Sequence, residues 1–255
     1  MILDEIIELV KERYKDKKDN LDYIKEEAKK RKEKEVSFYD AIEKKGISFI
    51  CEIKKASPSK GIISNDFPYK NIAKEYNKIA DVISVLTEPK KFLGSDKILN
   101  DVKNLVDLPV LRKDFIIYPY QIYEAKAIGA DAILLIVAIL TFDELVEYIN
   151  LAHSLNLGVL VEAHDENEVM LAIKANARVI GVNNRNLKDF SVDMNNSIRL
   201  RNLAPNNIKF VSESGIKTRA DIKILEDNNV DAVLIGETLM RSDNPVEMIK
   251  KLKYD

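Results

Sequence analysis

The chain has no tryptophan, one cysteine, two histidines and only eight glycines among 255 residues. A lone thiol, Cys51, cannot close an intrachain disulfide and rules out zinc sites built on several cysteines. His153 and His164 are too few for a polyhistidine centre, so no metal is expected. No apolar run is long enough to span a bilayer; "AILLIVAIL" stops at Thr141. The opening "MILDEIIELV" lacks a basic leader and a small-residue cleavage site, and it reads as the apolar face of an amphipathic helix. With the single thiol, this sets the expectation of a reduced, cytoplasmic protein. A dominant charge is missing too. Lys and Arg number 40 against 42 Asp and Glu, which gives no argument for a nucleic-acid or membrane partner. The dense mixed charge between Lys11 and Glu35 has the i,i+4 spacing of a solvated helical face.

What the chain does have is alternation. Eight short apolar runs predict strands: "SFICEI" (48–53), "DVISVLT" (81–87), "LPVLRK" (108–113), "DAILLIV" (131–137), "GVLVEA" (158–163), "RVIGVN" (178–183), "IKFVSE" (208–213) and "DAVLIG" (231–236). Most are continuous rather than alternating, which suits parallel strands covered on both faces. Amphipathic segments such as "YKNIAKEYNKI", "PYQIYEAKAIG", "FDELVEYINLAHSL" and "RADIKILEDNN" separate them, with Pro119 placed for a helix start and Gly129 for a stop. "IADVISVL", "GADAILLI", "NARVIGVN" and "NVDAVLIG" recur about 50 residues apart, the length of two strand–helix units. Eight such units predict an α/β chain folded as a (β/α)8 TIM barrel. An open doubly wound sheet is the rival, but no GxGxxG follows the first strand. Residues 1–47 are expected to be an N-terminal helical extension packed on a barrel of residues 48–255, with 1–255 a single domain.

In such barrels chemistry gathers at the carboxyl ends of the strands. There the first strand offers Glu52 and Lys54, the third Lys113, the fifth Glu162, the sixth Asn183 and Arg185, the seventh Glu213 and Ser214, and the eighth Gly236. Five of eight apolar strands end in an ionisable group, and these must pair with each other or with a ligand. Lysines at low-dielectric sites are expected to lose protons more readily, and carboxylates less readily. Lys113, Lys54 and Glu162 therefore suit acid–base work on a polar substrate, and a Schiff base with a carbonyl substrate is equally open. Gly215 and Gly236, in "ESGIKTRADI" and "GETLMRSDNP", sit where a backbone approaches a ligand closely. The short "ETLMR" helix points its amino end at the barrel mouth, as phosphate sites in these barrels do. "SPSKG", after the first strand, is a long polar loop suited to a lid or clamp, with Gly61 as its hinge.

"CEIKKASPSKG", "LRKDFI", "LLIVAIL", "LVEAHDE", "IGVNNRNL", "VSESGI" and "LIGETLMR", in this order, closely resemble the indole-3-glycerol-phosphate synthase family of tryptophan biosynthesis. The resemblance implies closure of a carboxyphenylamino-deoxyribulose phosphate to an indole with loss of carbon dioxide and water, without metal or organic cofactor. Lys113 matches the family's general acid, Glu162 and Lys54 the groups assigned to dehydration, and Glu52 the carboxylate that orients the lysines. Asn183 and Glu213 match the groups that hold sugar hydroxyls, and Lys54, Ser57 and Arg185 those that meet substrate anions. Ser214, Gly215, Gly236 and Glu237 resemble the phosphate site, the last through its backbone N–H. Phe92, Phe115, Leu134 and Leu187 match the apolar pocket for the flat ring. The family also includes members joined to neighbouring pathway enzymes, so association with such enzymes is implied. Two departures stand out: no Trp lies in the extension, and Ala138 replaces a lysine of some relatives. From the residues alone, two alternatives stay open. One is another phosphate-binding barrel enzyme, a sugar-phosphate isomerase or Schiff-base aldolase; the other is a non-catalytic phospholigand-binding barrel.

Overall fold

A computed structural model describes residues 2–17, 19–31, 36–186 and 189–254. Eight parallel strands close a barrel, each paired with its sequence neighbours and the last with the first. They are β1 Ser48–Ile53, β2 Val82–Leu86, β3 Val110–Lys113, β4 Ala132–Ile136, β5 Gly158–Ala163, β6 Val179–Asn183, β7 Lys209–Glu213 and β8 Ala232–Ile235. All eight lie within the predicted runs. Six of those runs overshoot by one or two residues, three of them at Asp81, Asp131 and Asp231, which precede the strands. Each of these carboxylates accepts backbone N–H groups, from Phe49, Val110 and Phe210 respectively.

Alternation along each strand decides what faces the interior. Ile50, Val82, Leu111, Leu134, Leu160, Val179, Val211 and Leu234 fill the barrel as one apolar cluster. Their neighbours Phe49, Cys51, Val110, Ile133, Val159, Ile180, Phe210 and Val233 face outward and pack under the helices. Each fully buried side chain of this size stabilises by roughly 1.5–3 kcal/mol. Continuing the same alternation upward places Glu52, Lys113, Glu162 and Glu213 inside, above the apolar layer.

The helices start and stop where local chemistry directs. In the extension α1 is Ile2–Tyr14, α2 Leu21–Lys29 and α3 Phe38–Glu43. The helices around the barrel include α4 Tyr69–Tyr76, α5 Asp96–Lys103, α6 Pro119–Ile128, α7 Phe142–Ser154, α8 Glu166–Lys174, α9 Asn195–Arg201 and α10 Arg219–Asp227. After β8 come the short α11 Glu237–Met240 and then α12 Pro245–Tyr254. Thr141 with Glu144 and Thr218 with Asp221 form capping boxes that satisfy the first N–H groups of α7 and α10. Pro119 opens α6, and Gly129 (φ +97°) ends it in the left-handed region.

The extension does two jobs at opposite ends. From below, α3 plugs the barrel: Phe38 and Ile42 join the interior cluster, and Gly158 has no side chain because a Cβ there would collide with Phe38. α1 instead climbs the side to the mouth, packing Ile6, Val10 and Tyr14 with Ile24 and Tyr120. Its end is tied to β3 by buried charge. Arg112, fully buried on the outer face of β3, contacts Asp96 at 2.8 Å, Glu124 at 2.9 Å and Asp114 at 3.2 Å. Arg13 adds a 2.6 Å ion pair to Asp114, and the Tyr14 hydroxyl donates to Glu124. This network fastens α1 and α6 to the strand that carries Lys113.

Candidate active site

At the carboxyl ends of the strands lies a cavity of about 680 Å3. Its floor is the top layer of inward residues, and its walls are the loops after β1, β2, β3, β6, β7 and β8 together with the first turns of α1. Every residue singled out from the sequence as a site candidate lines it, except Leu187, which falls outside the described residues.

The floor is an ionic cluster. Lys54 Nζ lies 2.5 Å from Glu52 Oε1. Lys113 Nζ lies 3.1 Å from Glu162 Oε2 and 3.4 Å from Glu213 Oε2. All three carboxylates are buried, with Glu213 Oε1 lacking a hydrogen-bond partner. Two glycines make room for them: a Cβ at Gly181 would collide with Glu213 Oε1, and one at Gly236 with Glu52 Oε1. Gly236 thus has a reason to be glycine beyond the approach of a ligand.

Burial and pairing work against each other here. Burial pulls the Lys113 ammonium toward deprotonation, but Glu162, Glu213 and Glu52 outweigh it and raise its pKa above the usual lysine value. The expectation of an easily deprotonated lysine is therefore overturned at this position, because three buried carboxylates exceed the desolvation effect. Glu162 is also buried, yet Lys113, His164 and a hydrogen bond from Asn183 hold it below the usual range. Glu213 goes the other way. Burial, reinforced by repulsion from Glu162 and Glu52, pushes it up to about 7 despite Lys113. The cluster can therefore offer a fixed cation, a fixed carboxylate and one group that exchanges a proton near neutrality.

The rim carries hydroxyl groups, glycine and cations. Ser214 (φ +69°) and Gly215 (φ +90°) follow β7 with successive positive φ angles, and both line the cavity. At Gly215 a Cβ would also meet Val192. The Ser214 hydroxyl donates to Asn183 Oδ1 at 2.9 Å, which also accepts the Arg185 backbone N–H at 3.1 Å. Thr238, in α11, donates to the Ile216 carbonyl at 2.7 Å and joins the loops after β7 and β8. Arg185 reaches Glu237 Oε2 at 3.4 Å, while Arg241 and Lys60 approach the other oxygen at 3.2 and 4.0 Å. The Glu237 side chain, given no part from the sequence, thus stands among three cations.

Opposite the ionic floor the wall is apolar. Phe92 and Phe115 lie 5.9 Å apart with a 39° tilt, beside Leu134. Ile2 and Ile6 of α1 cluster with Phe92 and Phe115 and, with Leu3, line the cavity; Phe190, Val192 and Met194 from the loop after β6 line it too, Val192 and Met194 beside Gly215. Sequence reasoning missed these six. The apolar face of "ILDEIIELV" signalled packing, but nothing local said that it would pack at the mouth. "SPSKG" forms a small hairpin, Ala56–Ser57 against Gly61–Ile62, with the Ala56 N–H bonded to the Phe92 carbonyl at 3.2 Å. Ser57 to Lys60 line the cavity. Among the described residues no group of His, Cys, Asp and Glu could hold a metal ion, and no helix is long and apolar enough to cross a membrane.

The fold has distant structural relatives. It is similar to 3-hexulose-6-phosphate synthase (TM-score 0.66, 16% identity, covering 81% of this chain and 98% of that one). It is also similar to the tryptophan synthase alpha-subunit of Pyrococcus furiosus (TM-score 0.61, 12% identity, 81% and 97%). At these identities the likeness establishes the barrel alone. Sequence relatives say more. The chain is 55% identical to the indole-3-glycerol phosphate synthase of Endomicrobium trichonymphae, over 99% of this chain and all of that one. It is 56% identical to that of Ruminiclostridium cellulolyticum, over 99% of each. The family model described as indole-3-glycerol phosphate synthase matches residues 3–252. A (β/α)8 barrel with this ionic floor, matched from end to end by these relatives, belongs to the indole-3-glycerol phosphate synthase family.

Proposed function

We infer that the chain is a carboxy-lyase of tryptophan biosynthesis, closing 1-(2-carboxyphenylamino)-1-deoxyribulose 5-phosphate to indole-3-glycerol phosphate with loss of CO2 and water. The observation that carries the residue-level reading is the position of Lys113 between Glu162 and Glu213, beneath an apolar wall. The aromatic ring fits against Phe92, Phe115 and Leu134, and the phosphate against the loops of Ser214, Gly215, Gly236 and Glu237. Asn183 and Glu213 meet the sugar hydroxyls, and Ser57, Lys54 and Arg185 the anionic groups.

Ring closure requires the ring carbon bearing the carboxylate to attack the ribulose carbonyl. As the new carbon–carbon bond forms, the carbonyl oxygen gains negative charge and takes a proton from the Lys113 ammonium. The electrons of the departing carboxylate restore the aromatic ring, releasing CO2. Dehydration then expels the new hydroxyl as water and removes a proton from the adjacent carbon attached to nitrogen, giving the indole double bond. Glu162, held ionised, is the group for that carbon-bound proton. The Lys54 ammonium, paired with Glu52, is the acid for the departing hydroxyl. The raised pKa of Lys113 speaks against a Schiff-base role, which needs a free amine.

Lys113→Ala tests the reading. Turnover of the ribulose phosphate, followed by indole fluorescence, should fall by at least about a hundredfold. Binding of a phosphate-bearing substrate analogue should persist. Turnover at the wild-type rate would remove Lys113 from its role. Only small-molecule partners are required; a cytoplasmic location and association with other pathway enzymes belong to the same reading.

A further inference from the structure

Lys113 occupies only one oxygen of Glu162, Oε2. The other, Oε1, faces Nε2 of His164 at 3.4 Å. That ring nitrogen is buried and has no hydrogen-bond partner. The opposite ring nitrogen, Nδ1, lies 3.2 Å from Glu168 Oε2. His164 follows β5 two residues after Glu162, so strand alternation puts both on the same side. Its backbone is fixed twice over. The His164 N–H donates to Glu168 Oε2 at 2.8 Å, and Asn196 Nδ2 of α9 donates to the His164 carbonyl at 3.1 Å. Glu168 is itself held in the first turn of α8, where its N–H donates to Asp165 Oδ1 at 2.9 Å. His164 does not line the cavity.

We propose that His164 is a positioning residue for Glu162: anchored by Glu168, its imidazole directs Nε2 at Oε1 and holds the carboxylate in one orientation for proton removal during dehydration. This rests on the reading of Glu162 as the base of that step. The charged groups facing the imidazole are Glu162 on its own strand, Glu168 from α8 and Glu213 from β7. Lys113 of β3 stands across Glu162, and from α9 the neutral Asn196, itself bonded to Arg199, donates to the His164 carbonyl. Burial disfavours the imidazolium, but the three carboxylates outweigh it and raise its pKa above the ordinary histidine value. The cation carries a proton on both nitrogens, Nδ1 beside Glu168 Oε2 and Nε2 facing Glu162 Oε1. Once it loses a proton, the positive charge between Glu162 and Glu168 is gone, although Lys113 and Asn183 still hold Glu162 and the His164 backbone N–H still holds Glu168. Activity should therefore decline on the alkaline side of the His164 titration.

Three variants of the full chain, with wild type, test this by pH profiles of kcat and KM. His164→Leu should lower kcat about ten- to a hundredfold while KM stays within about threefold, because the substrate contacts are untouched. His164→Gln can place an amide N–H near the Nε2 position but does not titrate. It should recover most of kcat and lose the alkaline inflection, whereas an inflection belonging to Glu213 should persist. Thermal melts of both variants confirm folding, and the glutamine variant keeps the test valid if leucine impairs it. A His164→Leu kcat within twofold of wild type, or an unaltered inflection in His164→Gln, overturns the proposal. Glu162→Gln separates the two layers: if it is inactive while His164→Leu is normal, only the positioning role falls. If Glu162→Gln turns over normally, the base assignment falls and takes this proposal with it.

Discussion

Replacing Glu213 with glutamine changes one titratable proton and almost no volume, so its effect on stability should depend on pH with a sign set by the structure. The carboxyl is buried at the end of β7, with Oε2 against Lys113 and Oε1 unpartnered. Burial first, then repulsion from Glu162 and Glu52, raise it from 4.5 to about 7. Between those two values the folded chain holds a proton that the unfolded chain has released. The stabilisation from this raised pKa is complete below about 4.5 and disappears as pH climbs through about 7. At about 1.4 kcal/mol per pH unit, it amounts to about 3 kcal/mol across the window. Urea unfolding of wild type and Glu213→Gln at pH 5, 6, 7 and 8, at constant ionic strength, measures it. The stability of the variant relative to wild type should rise by roughly 2–3 kcal/mol from pH 5 to pH 8, with m values unchanged. His164 titrates in the same sense, since its pKa is also raised, but it is present in both proteins and largely cancels. Parallel stability curves would refute the reasoning, because they would mean that Glu213 titrates alike in the folded and unfolded chains.

Gly236→Ala should drive a Cβ into Glu52 Oε1 and to 3.1 Å from Lys54 Nζ. We expect a kcat loss of tenfold or more in a folded protein, and unchanged turnover would show that the Glu52–Lys54 geometry is not needed. Arg112→Met leaves Asp96, Asp114 and Glu124 without their shared cation. Urea unfolding should register a loss of about 3–5 kcal/mol, and a loss under about 1 would mean that the network contributes little. Glu237→Gln removes the carboxylate that engages Arg185. Because these side chains are partly solvated, the gain for an incoming anion is at most about 1 kcal/mol, so KM should fall no more than about fivefold with kcat unchanged. A raised KM would instead make Glu237 a direct contributor to binding.

Legibility in the sequence followed the range of the interactions. Strand positions were readable because parallel strands covered on both faces require continuous apolar runs, and "SFICEI" and "GVLVEA" coincide with β1 and β5 to the residue. Lys113, Glu162 and Glu213 stood out because ionisable groups at the ends of apolar strands need partners. Their protonation states did not follow from residue types. Lysine in a dry site is expected to lose its proton, and only the placement of three carboxylates around Lys113 reverses that. Contacts made by loops and by the extension were also illegible. Leu3 and Ile6 look like any helix stripe, and Val192 like a loop residue, until the fold carries them to the mouth. Arg112 was hidden for another reason: in "LPVLRK" it sits beside Lys113, and only strand alternation sends the two to opposite faces.

The charge balance at the mouth connects these details. Fully ionised, Glu52, Glu162 and Glu213 exceed Lys54 and Lys113 by one negative charge, in a layer nearly closed to water. A proton on Glu213 removes the excess, and burial together with carboxylate repulsion favours that proton near neutrality. The floor can then approach neutrality while keeping the Lys113 ammonium and the Glu162 carboxylate side by side. Burial alone would favour the neutral pair; here the surrounding carboxylates keep Lys113 charged, and Lys113 with His164 keeps Glu162 ionised. The rim solves a different problem. Lys60, Arg185 and Arg241 gather around Glu237, so cations suited to a phosphate or carboxylate are not left facing one another uncompensated. A substrate anion that takes Arg185 from Glu237 exchanges one ion pair for another, which limits the net gain in ground-state binding. The buried floor is different: its groups are already oriented by one another, so their interactions can strengthen as charge develops on the ribulose oxygen. Asn183 links the two regions: its side chain hydrogen-bonds Glu162 of the floor and accepts from the Ser214 hydroxyl and the Arg185 backbone N–H at the rim.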